Sequence, residues 1–278
     1  MYRFQAVSEV IREGVPPALT DLFVLITELG GLPFLLVALS VLYWVDDRPS
    51  TATVISYTLV ALVATLALKQ LFMFPRPPVS VQAVAEQPET SGFPSGHAIS
   101  ATVVYGGLVL ARERLRDARF VGGAVAVIGL VGLSRIVIGV HYLGDVLAGY
   151  AVGGAILAGL WLTVGKRPAY ACLVATVAAA LTFPLTAGSG YALIGLGGSI
   201  GATATFWTSD TARLPHPETI GQTAVLVIAG LAFAGGMFWL AETVPFAPAA
   251  VLASAVLVAG ILLFPRLLET APFEALAV

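Results

Sequence analysis

Three short stretches of this chain gather residue types that act on a charged group. "KQLFMFPRP" at 69–77 carries Lys69 and Arg76, "PSGH" at 94–97 ends on His97, and "SRIVIGVHYLGD" at 134–145 carries Arg135, His141 and Asp145. A helix N-terminus presents unpaired N–H groups and the positive end of its dipole, so Ser95 and Gly96 at the opening of a helix form an anion cradle. Gly96 lets the backbone come close to the anion. With Lys69, Arg76 and Arg135 added, the set can neutralise about two or three negative charges, which suits a phosphate dianion or the trigonal-bipyramidal state it passes through. Asp145 follows His141 by four positions and so shares its face on a helix that begins there. A carboxylate in that place fixes the tautomer and stabilises the imidazolium, leaving the other ring nitrogen as a nucleophile. His97 arrives from another segment and is available to protonate the leaving oxygen.

Each of these residues has a structural alternative. An intramembrane Arg or His is often a packing or interfacial residue, Asp145 could cap a helix, and the Ser134 hydroxyl could cap or pack. The coincidence of so many polar and glycine positions in this spacing favours chemistry. Glu28, in "TELGG", is a costly intramembrane carboxylate that the three stretches leave unexplained, with outer support of the site and helix packing as its two readings. Tyr142 and Phe93 flank the candidate positions and could line a pocket or belong to an interfacial aromatic belt.

The surroundings that must position these groups are apolar. Of 278 residues, 58% are hydrophobic and 11% charged, with a mean hydropathy of +0.93, which points to an integral membrane protein. Leu, Val, Ala and Gly dominate between clustered charges, the pattern of an all-α, polytopic transmembrane bundle and not of a barrel. Spans of roughly 20 apolar residues are expected near 21–44, 51–74, 95–111, 120–139, 142–164, 169–187, 191–207, 220–241 and 246–265. The division between the sixth and seventh rests only on "LTAGSGY", so eight or nine spans are expected. The stretch from Phe4 to Ile11 has helical apolar spacing with Arg3, Glu9, Arg12 and Glu13 mostly elsewhere around the wheel, which predicts a short interfacial helix within 1–20. The net charge of −2 suggests no nucleic-acid partner. Cys172 is alone and forms no intrachain disulfide.

Lys and Arg divide unevenly between alternate sides. Arg48, Arg112, Arg114, Arg116, Arg119, Lys166, Arg167, Arg213 and Arg266 fall on one side; Arg3, Arg12, Lys69, Arg76 and Arg135 fall on the other. The positive-inside rule puts the first group in the cytoplasm and the three candidate stretches, with the N-terminus, on the outer face of the cell membrane.

In order and spacing, "K-x6-R-P" (Lys69, Arg76, Pro77), "P-S-G-H" (Pro94, Ser95, Gly96, His97) and "S-R-x5-H-x3-D" (Ser134, Arg135, His141, Asp145) resemble the three-part signature of the type 2 phosphatidic acid phosphatase superfamily. That superfamily includes lipid phosphate phosphatases, polyprenyl diphosphate phosphatases and vanadium haloperoxidases. The resemblance implies that His141 attacks phosphorus to form a phosphohistidine, Asp145 supports it and His97 is the acid. Lys69, Arg76, Ser95, Gly96 and Arg135 would hold phosphate oxygens, with Glu28, Ser134 and Tyr142 as candidate outer residues. That scheme needs no metal or other cofactor, and the sequence offers no HExxH or acidic ligand cluster. His216, in "PHPE" of an expected cytoplasmic loop, is on the wrong side to join.

The expected partners are therefore the bilayer and a lipid phosphate: phosphatidate, polyprenyl diphosphate or phosphatidylglycerol phosphate. A lipid phosphotransferase, a transporter and a vanadate-loaded haloperoxidase stand as alternatives. The chain divides into the interfacial helix at 1–20, a catalytic core at 21–165 and accessory spans at 166–278. A surface for homo-oligomers, a lipid passage and a separate bundle all stay open as roles for the last part.

Overall fold

The computed structural model describes residues 3–84, 91–186 and 190–270. Parts of the expected 1–20 helix, the 75–94 loop, the "LTAGSGY" break and the C-terminal tail lie outside the described residues. Every regular element among the described residues is helical. In chain order these are α1 (Gln5–Glu13), α2 (Thr20–Glu28), α3 (Leu32–Val45), α4 (Arg48–Phe72), α5 (Gly96–Ala111), α6 (Ala118–Val137), α7 (Leu143–Thr163), α8 (Pro168–Thr186), α9 (Gly190–Thr208), α10 (Ile220–Thr243) and α11 (Ala247–Leu263).

Helix occupies each of the nine expected span positions, but among the described residues only α4, α6, α7, α8, α10 and α11 (with the 3₁₀ turn after it) are long and apolar enough to cross a membrane by themselves. The chain is thus a multi-pass helical membrane protein with six candidate spans, or up to seven if a bent pair counts as one. That pair is the stretch expected as a single span at 21–44, which is broken between α2 and α3 and bends by 51°. The break falls at Leu29–Gly31, where Gly30 and Gly31 supply little helix propensity. The freed carbonyls are not wasted: Tyr105 Oη donates to Leu29 O at 2.8 Å and Ser100 Oγ donates to Gly30 O at 2.6 Å. At 16 residues, α5 is shorter than a full span, roughly 24 Å of helix against a hydrocarbon core of about 30 Å.

The chain folds as two compact units. The first comprises Met1–Leu35 and Ala64–Thr163; within it α5 packs on α6 and α7, α2 lies on α6, and α1 touches α6 and α7. The second comprises Leu36–Val63 and Val164–Val278, with α9 packed on α8 and α11, and α10 on α11. Residues 36–63 therefore pack with the C-terminal helices. Tyr43 and Trp44 anchor them there, Tyr43 Oη donating to Leu262 O at 3.1 Å and Trp44 Nε1 to Ile261 O at 2.8 Å. Arg48, expected as a topology charge, is buried in the same unit and donates to the carbonyls of Tyr43, Leu214 and Pro215.

Candidate active site

All three motif stretches lie in the first unit, each delivered by a helix end. Lys69 is in the last turn of α4. Ser95 is the N-cap of α5, accepting from the Ala98 N–H at 3.4 Å, so Gly96 and His97 open the helix as the sequence predicts. Lys69 Cε is 4.0 Å from the point a Gly96 Cβ would occupy, which sets its side chain beside the α5 N-terminus. Arg135 stands in the last turn of α6, and the chain then reverses to reach His141. The reversal needs Gly139, whose φ of +74° is left-handed and whose missing Cβ makes room for the Val81 carbonyl. Ala83 N–H closes the turn on Ile138 O at 2.9 Å.

His141 is 2% exposed. Its Nδ1 is 2.7 Å from Gly92 O, and because a carbonyl only accepts, Nδ1 carries the proton. Its Nε2 is 3.2 Å from Arg76 Nη1, which only donates, so Nε2 presents its lone pair. That is the tautomer a nitrogen nucleophile requires. Asp145, fully buried, has Oδ2 3.5 Å from His141 Nδ1. The i, i+4 spacing thus brings the carboxylate to the imidazole, but the nearer acceptor, and the group that fixes the tautomer, is the Gly92 carbonyl. Asp145 also accepts from Tyr142 N–H at 2.8 Å, as an acidic residue at the third position of a helix does. Its backbone carbonyl takes the Ser95 N–H at 3.0 Å, tying the second stretch to the third.

The cations close the other sides. Arg76 Nη1 also donates to Val140 O at 3.3 Å. Arg135, buried, is braced by Nη1 donating to Thr27 Oγ1 at 2.8 Å. Lys69, Arg76, Arg135 and His141 are all near enough to act electrostatically on His97. His97 Nε2 and Glu28 Oε2 lie 3.6 and 3.4 Å from the position of a Gly31 Cβ, so the α2–α3 break brings the unexplained carboxylate beside the second histidine. Burial is graded: Ser95, Arg135, His141 and Asp145 are buried, Lys69, Arg76 and His97 are half-buried, and Glu28 is exposed. Phe72, Phe74 and Phe93 form an aromatic cluster with centroids 5.1–5.7 Å apart. Ser134 is buried and turns back to Val131 O at 2.6 Å, a packing arrangement within α6. His216 belongs to the other unit, where burial and the Arg48 charge hold its imidazole below the usual range.

Four participants are not apparent from the motifs. Gly92 contributes only a backbone carbonyl, and Thr27 and Ser8, whose Oγ accepts from the Leu143 N–H at 2.8 Å, are ordinary hydroxyls. The fourth is Arg3, expected on the polar face of the N-terminal helix but 3% exposed, with Nε and Nη2 each 2.6 Å from an oxygen of Asp145. Its partner is 142 positions away, so nothing local signals the pairing.

No curated protein and no solved structure matches the chain. A family model described as PAP2 superfamily matches residues 50–169, a range that contains every motif residue from Lys69 to Asp145 and leaves Arg3 and Glu28 outside. Residues 50–169 therefore belong to the type 2 phosphatidic acid phosphatase superfamily.

Proposed function

We propose that this multi-pass membrane protein is a lipid phosphate phosphatase working through a phosphohistidine on His141. The observation that carries the reading is the His141 environment: Nδ1–H held by Gly92 O and the Nε2 lone pair turned toward Arg76. A phosphate entering beside the α5 N-terminus takes the Arg76 N–H for itself and leaves Nε2 facing phosphorus. Lys69, Arg135 and the N–H groups opening α5 hold the remaining oxygens, so negative charge spreading onto them in the transition state meets donors already in place. Nε2 forms the P–N bond as the P–O bond to the lipid breaks, and His97 gives a proton to the departing oxygen. Water then attacks phosphorus, His97 takes its proton, the P–N bond breaks, and phosphate leaves with the Nε2 lone pair restored. Asp145 balances the imidazolium between the two steps, and Glu28 supports His97 at the mouth of the site.

A lipid is favoured over a soluble phosphate by the setting. The shortness of α5 supports an N-terminus set below the headgroup plane, and the Phe72–Phe74–Phe93 cluster offers an apolar wall for the chain that bears the phosphate. The cation distribution supports a site on the extracytoplasmic face of the cell membrane, and the exposed Phe4, Val7 and Val10 support an interfacial position for α1. Phosphatidate and polyprenyl diphosphate both fit such a pocket. Purified protein should release phosphate from lipid phosphates with chelator present and be inhibited by vanadate. Phosphate release that persists in His141→Ala would refute the assignment.

A further inference from the structure

Arg3 makes more contacts with the site than its place before an interfacial helix requires. Nε and Nη2 bind the two oxygens of Asp145 at 2.6 Å each, and Nη1 donates to Pro75 O at 2.6 Å. The guanidinium lies over the Tyr142 ring at 4.8 Å, with Phe74 at 5.8 Å. Nη2 is 3.0 Å from where a Gly92 Cβ would be, so it sits against the very residue whose carbonyl orients His141. One side chain thus touches the segment after Lys69, the segment before Ser95 and the carboxylate after His141.

The backbone around Arg3 is engaged as well. Arg3 O accepts from Gly144 N–H at 3.1 Å and Ser8 Oγ accepts from Leu143 N–H at 2.8 Å, while Asp145 takes Tyr142 N–H. The opening N–H groups of α7, which an isolated helix leaves bare, are in this way capped by the N-terminal segment. Gly144 permits the approach, since a Cβ there would come within 2.8 Å of Arg3 Cα.

A buried carboxylate is costly unless paired, and a planar fork that meets both oxygens fixes the plane of the carboxylate as well as its charge. Asp145 must stay 3.5 Å from His141 Nδ1 while positive charge develops on the imidazole. We propose that Arg3 is a positioning residue for the phosphatase reaction: it holds the Asp145 carboxylate and the Gly92 segment behind His141, making the N-terminal segment a working part of the active site. This rests on the phosphohistidine reading of His141. Lysine, a point charge without the fork, replaces Arg3 only in part.

The test measures kcat and KM for phosphate release from phosphatidate in mixed micelles. It uses the full chain and its Arg3→Met, Arg3→Lys, Asp145→Asn, Arg3→Met/Asp145→Asn and His141→Ala variants, with folding checked by elution profile and melting temperature. Arg3 does not face the phosphate, so Arg3→Met should lower kcat about 100-fold with KM within about twofold, and Arg3→Lys should fall between it and wild type. Because the two residues act as one unit, adding Arg3→Met to Asp145→Asn should cost no more than about threefold further. Full kcat in Arg3→Met, or a loss that multiplies independently onto Asp145→Asn, would overturn the proposal. If Arg3→Met does not fold, Arg3→Lys decides: about a tenfold drop in kcat supports the role and wild-type kcat refutes it. Release that survives in His141→Ala instead overturns the phosphohistidine reading, and this role with it.

Discussion

The two ring nitrogens of His141 have different neighbours, a carbonyl at 2.7 Å and a guanidinium at 3.2 Å, and that difference makes the residue a candidate nucleophile and not merely a buried histidine. Arg76 covers Nε2 at rest, and in the proposed reaction it binds a phosphate oxygen in turn. Arg76→Ala should lower kcat/KM for lipid phosphate about 100- to 1,000-fold, comparable to loss of a preorganised oxyanion donor; a loss under about fivefold would remove Arg76 from the site. In the proposed mechanism Glu28 acts only through His97, so Glu28→Gln should lower kcat by about tenfold and leave KM near its wild-type value. The pairing of His141 with Asp145 was legible from their spacing, although His141 stands in the turn two residues before α7 and not on the shared helix face that the sequence suggests. The tautomer-fixing group was not, since a backbone carbonyl has no side-chain signature. Arg3 was hidden differently: apolar residues spaced along a short helix make a neighbouring arginine read as part of a solvated face, and only the fold brings it to Asp145.

At the scale of elements, each candidate catalytic side chain stands at a helix terminus or in the turn beside one, where backbone groups without helical partners are available for binding. Those ends are held by caps. Removing the Ser8 hydroxyl in Ser8→Ala leaves the Leu143 N–H without its acceptor and should cost about 1 kcal/mol of stability, read as a lower melting temperature in detergent. Asp117, whose Oδ1 accepts from the Arg119 and Phe120 N–H groups at the start of α6, is far along the helix from Arg135. Asp117→Ala should lower stability by a similar amount, about 1 kcal/mol, yet keep wild-type kcat. Helix positions were readable because long apolar runs admit little else. The α2–α3 break was not, because "TELGG" is apolar enough to continue a span, and the bend depends on Ser100 and Tyr105, which follow some seventy residues later in the sequence and take up the freed carbonyls.

At the scale of the molecule, residues 36–63 pack in the same unit as 164–278. A chain cut after residue 166 loses the partners of Tyr43, Trp44 and Arg48, and should fail to give a monodisperse species by size exclusion in detergent. Orientation can be read with thiol labelling, since the native Cys172 is buried. An impermeant maleimide on intact cells should label Val79→Cys, and should label Leu115→Cys only after permeabilisation; both positions are exposed. The chemistry itself is tested most directly by the whole protein mixed with lipid phosphate labelled with ³²P and quenched within a turnover. The phosphohistidine route predicts protein-bound label that is stable to base, released by acid and missing from His141→Ala. Turnover of the wild type with no such label, or label that persists in His141→Ala, would contradict it.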